Sequence, residues 1–377
     1  MEGGPLFNLQ KWVGLARPDR IRRRAALSAL LTFFPLLFLS LLERRAAAHV
    51  DVPFFRDFST YSRFLLAIPL LLIAENILGP RIAVAAAHFV DADLVLEKDY
   101  ARFSDFIDRA LRARDSIVAE IILVILAYIF SVAGLRSTAI HASTWYITRT
   151  STGHSLTWAG WWLIGFCAPL FQFLVYRWVW RLFLWFQFLR RVRHLDLQLF
   201  PTHPDEAGGL GFIGETQRFF GIILFALSIG TAGVLANDIF YDKVPLNHYS
   251  AAIAAYVIVS VLVLLGPLSV FAILLGRTKR LGLHEYGTLA TAYTGAFHRK
   301  WITHQAPQNE PLLGTGDIQS LADLGNSYDR IDKMKALPID LRTVLHLVLS
   351  SLLPLAPLLL TVIPLKDLLR LLMKILM

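Results

Sequence analysis

The residues best suited to chemistry in this chain gather in one short stretch, FPTHPDEAGGLGFIGE, residues 200–215. His203, Asp205 and Glu206 offer a base and carboxylates, while Gly208, Gly209 and Gly211 allow unusual backbone angles or close approach. With His194 and Asp196 just before them, His194, His203 and Asp205 are candidate zinc or iron ligands, although their spacing matches no established ligand pattern. Gly209, Gly211 and Gly214 repeat the spacing of a dinucleotide-binding fingerprint. That fingerprint needs a strand before it and a helix opening at its last glycine. An aromatic-rich helix ending near Leu199 precedes it here, so nucleotide binding is not expected. Pro201 and Pro204 end that helix, because each lacks an amide proton and constrains its predecessor. Asp205 or Glu206 can then cap the next helix. The stretch reads first as an elbow between two helices.

A second set of reactive residues lies inside apolar runs. Glu75 and Asn76 sit within LLLIAENILG, Glu120 within SIVAEIILV, and Gln172, Arg177 and Arg181 along a third run. An ionisable group at the centre of a bilayer costs roughly 2.5–3.5 kcal/mol on insertion scales, so each needs a partner or a task. Glu75, Glu120 and Arg177 fall at a similar depth and are expected to form an intramembrane charge cluster, either locking helices or serving a cation or proton step. Glu43, Asp51, Asp57, Asp238 and Asp242 flank the other ends of the runs, where carboxylates would attract cations to an entrance.

The elements that must position these groups are long and greasy. Hydrophobic residues make up 55% of the 377 and charged residues only 17%, well below the ~25% usual in soluble domains. Apolar runs at about 25–42, 62–80, 116–135, 157–176, 218–237, 251–275 and 342–363 each suffice to cross a hydrocarbon core about 30 Å thick. The fold class expected is all-α, a polytopic transmembrane bundle of about seven spans. Lys and Arg outside the spans number 27 on the N-terminal side and 6 on the other, which orients the N-terminus to the cytoplasm. Trp145, Tyr146, Trp158, Trp161 and Trp162 fit an outer interfacial belt. The first basic and apolar run is read as a retained span, since no small-residue cleavage site follows it.

The chain divides into 1–80 with spans 1 and 2, a helical cytoplasmic segment 81–115, and 116–176 with spans 3 and 4. There follow a helix extension and elbow at 177–217, spans 5 and 6 at 218–275, a cytoplasmic helical segment 276–341, and a kinked span with an amphipathic tail at 342–377. In that tail Lys366, Arg370 and Lys374 share one helical face. The extended helices are expected to form a layer beneath the membrane. No strand alternation, fixed-period repeat or low-complexity tract is visible.

Prolines interrupt five spans: Pro35, Pro69, Pro169, the Gly266–Pro267 pair and Pro354 with Pro357. Broken helices are tolerated at membrane depth where neighbours or a wet cavity satisfy the freed backbone, and in transporters they line binding sites. Gly266, Pro267, Pro354 and Pro357 are the expected gating hinges. Gly221, Gly230 and Gly233 with Ser228 and Thr231 let the fifth span pack closely. The single cysteine, Cys167, excludes an intrachain disulfide and cysteine-based metal sites. No metalloprotease helix, nucleophile elbow, P-loop or haem-ligand pattern is present, so no enzyme and no cofactor are expected. The net charge of +9 is absorbed at span ends, so nucleic acid is not an expected partner either.

His203-Pro204-Asp205 resembles the signature of J-domain cochaperones, but the helical hairpin of that domain is missing. LGTGDIQSLADLGNSY, LPIDLRTVLHL and LPLAPLLLTVIPL, over the last 65 or so residues, together with HPDEAGGLGF, resemble stretches of uncharacterised bacterial inner-membrane proteins. The resemblance implies a bacterial inner membrane and carries over no functional residue. The expectation is a homo-oligomeric ion channel or pore in the lipid bilayer, favouring cations. A secondary transporter, or a scaffold or sensor with a cytoplasmic protein partner, are the alternatives.

Overall fold

The computed structural model describes residues 21–47, 50–138, 144–150, 153–303 and 316–361. Seven helices in it are long and apolar enough to cross a membrane. They are α1 (Ile21–Leu42), α2 (Phe58–Asp91), α4 (Ile117–Thr138), α5 (Trp158–Val192), α6 (Gly211–Tyr241), α7 (Leu246–Ile302) and α9 (Leu341–Thr361). The amphipathic helices α3 (Tyr100–Arg114) and α8 (Asp317–Asp332) lie outside them. Each predicted span coincides with one of the seven. The apolar residues on α1, α4 and α7 extend round to the outside: Phe38, Ile129 and Leu262 are all more than half exposed. Lipid, not water, is the solvent that tolerates such faces. The tail carrying Lys366, Arg370 and Lys374 lies outside the described residues.

The all-α reading holds, with one small addition. β1 (Ile147–Thr150) and β2 (Gly153–Leu156) form an antiparallel hairpin, Ile147 opposite Leu156. Ile and Thr favour extended backbone, but four-residue strands are too short for an alternation pattern to emerge from sequence.

α1 packs along α2, and α4 along α5, so the first four spans form two hairpins running in the same direction. Corresponding features recur in α2 and α5. Each starts under a side-chain cap: Asp57 accepts from the Ser59 and Thr60 amides, and Thr157 from the Gly160 amide. Each then widens into a π-turn, at Tyr61–Ala67 and Leu163–Cys167, just before Pro69 and Pro169. A proline lacks the amide proton and crowds the carbonyl one turn earlier. The wider turn relieves that conflict: the Ile68 amide reaches the Arg63 carbonyl, and the Ala168 amide reaches the Leu163 carbonyl. Such bulges concentrate at functional sites.

α6 closes the arrangement through its small residues. A Cβ on Gly233 would collide with Ser62 Oγ and lie 2.8 Å from the Phe58 carbonyl. A Cβ on Gly221 would lie 2.8 Å from Ser350 Oγ of α9. The predicted hinges adopt 3-10 geometry, Gly266–Phe271 in α7 and Leu353–Thr361 in α9. The Leu264 carbonyl, in the turn that Pro267 interrupts, accepts from Gln217 Nε2, and Gln217 in turn accepts from Trp185 Nε1 at 3.2 Å. The side opposite the α1 N-terminus is called the far side below, and the other the near side.

Candidate functional site

The near-side elbow shows what its polar residues do. One Asp205 oxygen accepts from the Ala207 and Gly209 amides at 2.8 and 3.1 Å, and the other from the Gly211 amide at 2.7 Å, the start of α6. His203 Nδ1 lies 2.7 Å from the same carboxylate. Burial alone would raise the Asp205 pKa, but these backbone donors and His203 outweigh it and hold the group below the usual carboxylate range. Of the two candidate caps, Asp205 and Glu206, Asp205 is the one whose carboxylate reaches the Gly211 amide, from six residues upstream. Glu206, Gly208 and Gly209 take positive φ angles of 53°, 66° and 99° to make the turn. Pro201 packs where a Gly282 Cβ would sit, 2.6 Å away, so α7 rests on the elbow. The Glu206 carbonyl accepts from the Lys335 amide at 2.7 Å, joining the segment after α8.

A cavity of about 540 Å³ lies beside the elbow, lined among others by His88, Glu215, Arg218 and Arg342. Among the described residues no group of three or more His, Cys, Asp or Glu side chains converges as a metal site would require. Of the three suggested ligands, His203 and Asp205 bind one another; the neighbour of His194, Asp196, pairs with Lys98 at 2.7 Å.

The intramembrane charges gather at the near-side third of the bundle. Glu75 Oε1 lies 2.6 Å from Arg177 and 3.1 Å from Arg181, and Oε2 lies 3.3 Å from Arg24. The structure thus brings Glu75 and Arg177 together and adds two arginines. Arg181 also stacks over Trp178, 4.9 Å from the ring centre. Side-chain exposures of 7–12% leave little water to screen these charges, so breaking any one pair is costly. Glu120 begins α4, half-buried in its first turn, and Asn76 is exposed on α2. Arg24 escaped the sequence reading because it stands at the basic start of a span, where cations ordinarily meet lipid headgroups.

A second cavity, of about 870 Å³, lies on the far side. That volume suits a small-molecule site, typically ~300–1,000 Å³. Its walls are the capped start and π-turn of α2 and the π-turn of α5, with Ser131 of α4, Tyr146 of the hairpin and Asn237 of α6. Gln172 lines it and accepts from Ser131 Oγ at 3.3 Å. Arg177 follows Gln172 by five residues along α5, so the Glu75 cluster lies on the near side of the cavity. Gly266, Pro267, Pro354 and Pro357 do not line it.

Asp57 organises the cavity wall. Its carboxylate accepts from the Ser59 and Thr60 amides, Thr60 Oγ1, Trp145 Nε1 and Asn237 Nδ2, at 2.7–3.3 Å. Five neutral donors thus satisfy a carboxylate that is only 5% exposed. Trp145 is fully buried against Phe54, edge to face at 5.0 Å. Tyr146 beside it is pushed up to about 12, first by burial and then by the Asp57 charge, so its hydroxyl stays protonated. Glu43 of the acidic rim caps instead, accepting from the Trp158 amide at 3.0 Å. Trp158 and Trp161 are mostly exposed at the start of α5, as an interfacial belt requires.

Arg63 enters the cavity from the π-turn of α2. Sequence reading left it aside because it stood at the edge of a predicted span, where an arginine ordinarily snorkels. Pro69 six residues later was the available signal: it demands the widened turn that carries Arg63.

Seven long apolar helices, lipid-compatible outer faces and an interior cavity between proline-broken helices define a multi-pass helical membrane protein. The chain matches no family model, and no curated protein or solved structure is significantly similar to it.

Proposed function

We propose that this chain is a secondary transporter that carries a small polar solute across a bacterial inner membrane by alternating access. The observation that carries the proposal is the far-side cavity of about 870 Å³, walled by two proline-broken helices from two hairpins that run in the same direction. Parallel repeats and discontinuous helices around a central site are recurring transporter architecture. The bias of Lys and Arg favours a cytoplasmic N-terminus, with the cavity open to the outside. Beneath it, the Glu75–Arg24–Arg177–Arg181 cluster bridges α1, α2 and α5 and serves as the inner barrier. Closing the outer mouth while parting these pairs would expose the site inward; the π-turns of α2 and α5 are where the helices can bend.

Cation conduction is the weaker reading. The cavity wall carries a fixed arginine, and the Gly266–Pro267 and Pro354/Pro357 breaks lie away from it. Purified protein in proteoliposomes tests the choice. Saturable solute uptake at transporter turnover, without single-channel current in planar bilayers, is the expected result. Unitary currents would replace the proposal with the channel.

A further inference from the structure

Resting on the reading of the far-side cavity as a solute site, we propose that Arg63 is the anchor for a substrate carboxylate, and that the substrate is a small zwitterion with its ammonium end towards the cavity mouth. Arg63 lines the cavity, half-buried at membrane depth. Its guanidinium lies 6.0 Å from the Phe171 ring centre and makes no hydrogen bond or ion pair among the described residues. None of its nitrogens is sealed from the cavity without a partner, in contrast to Nε of Arg24 and of Arg181. The nearby charge cannot neutralise it by contact, because both oxygens of Asp57 are already occupied by five neutral donors. A cation with five donors therefore faces the cavity with its bonding capacity unmet. A planar carboxylate meets a guanidinium with two parallel hydrogen bonds, the strongest match available to it.

The mouth carries the opposite sign. Asp238 and Asp242 line the cavity one helical turn apart at the end of α6, and Tyr249 Oη donates to Asp238 at 3.1 Å. Gly230 lies beside Arg63 Cγ, and Asp238 follows it by eight residues along α6, about 12 Å of helix. A purely anionic solute would be repelled at this rim and a purely cationic one at the floor. A solute with both ends satisfies the two.

Binding to the full-length protein in detergent tests this with glycine, 4-aminobutyrate and 6-aminohexanoate, each compared with its des-amino acid and its amide by isothermal titration. At least one zwitterion is expected to bind more tightly than its des-amino acid, and its amide to bind on the order of tenfold or more weakly. Arg63→Gln should abolish the preference for acid over amide, and Arg63→Lys should restore it in part. Both variants must retain the wild-type melting profile, and Arg63→Lys guards against a purely structural loss. Amides binding as well as acids, Arg63→Gln behaving as wild type, or no acid binding at all would each overturn the proposal. Arg63-dependent binding without uptake in proteoliposomes would leave the anchor standing and remove the transport reading. Uptake of the amides that ignores Arg63 would do the reverse.

Discussion

Asp57 on the far side and Asp205 on the near side are two versions of one device. Each is a half-enclosed or buried carboxylate that ties a turn together through neutral donors. Beside Asp205, Lys335 closes on two carboxylates, 3.4 Å from Glu206 and 3.7 Å from Asp340. Beside Asp57, Arg63 makes no such pair among the described residues and faces a cavity. The conspicuous sequence motif, His-Pro-Asp among glycines, spends its carboxylate on its own turn. The inconspicuous arginine marks the region with unmet bonding capacity. Function is better sought in what a fold leaves unsatisfied than in how reactive a stretch of residues looks.

Substitutions can break this comparison in a graded way. The largest loss is expected for Asp57→Ala, which strands Trp145 Nε1, the Asn237 amide and two backbone donors in a buried site. It should cost about 3–5 kcal/mol in a denaturation experiment in detergent. Glu75→Gln should cost a similar amount, about 3–5 kcal/mol, because three buried arginines lose their counter-charge. If either variant melts like wild type, the far-side wall or the inner barrier is not held as described.

Asp205→Ala removes the acceptor of three backbone amides in a partly exposed turn and should cost about 2 kcal/mol. Its pH dependence has a definite sign. The folded carboxyl is held below its ordinary value, so its contribution is complete above that value and fades as pH falls through the folded one. The melting difference between wild type and Asp205→Asn should therefore be steady near neutrality and shrink below about pH 4. A difference that grows on acidification would reverse the assignment.

Two glycines sharpen the contrast further. A Cβ on Gly214 collides with the Pro338 carbonyl, whereas the nearest atom to one on Gly230 is Phe171 Cζ at 3.6 Å. Gly214→Ala should destabilise by roughly 1–3 kcal/mol, and Gly230→Ala should change stability by less than about 1 kcal/mol. The smallest effect is expected at Arg63→Gln, within about 1 kcal/mol of wild type or slightly stabilising, as befits a residue kept for binding rather than for the fold.

Hydropathy made the seven spans legible, since lipid leaves only one way to bury so much apolar surface. It also made Glu75 and Arg177 legible as partners, because two charges at one depth in neighbouring helices have few alternatives. The hairpin at Ile147–Leu156 was too short to show a period, and the near-side half of α7, down to Ile302, extends past any apolar run. The Arg63 site was hidden for a different reason. Its parts come from α2, α4, α5, α6 and the hairpin, and only the π-turn before Pro69 brings the arginine into their midst. The Pro69 and Pro169 breaks were visible one residue at a time; their correspondence across two hairpins was not.

The far-side cavity as the route of a solute is tested most directly by uptake of radiolabelled 6-aminohexanoate, 4-aminobutyrate and glycine into proteoliposomes. The wild type should be compared with Val234→Trp, which narrows the cavity from α6 and leaves Asp57 and Arg63 themselves unaltered. Saturable uptake of at least one of the three, reduced on the order of tenfold or more by Val234→Trp in a protein that melts normally, is the expected result. Uptake that proceeds unchanged with the cavity narrowed would contradict it.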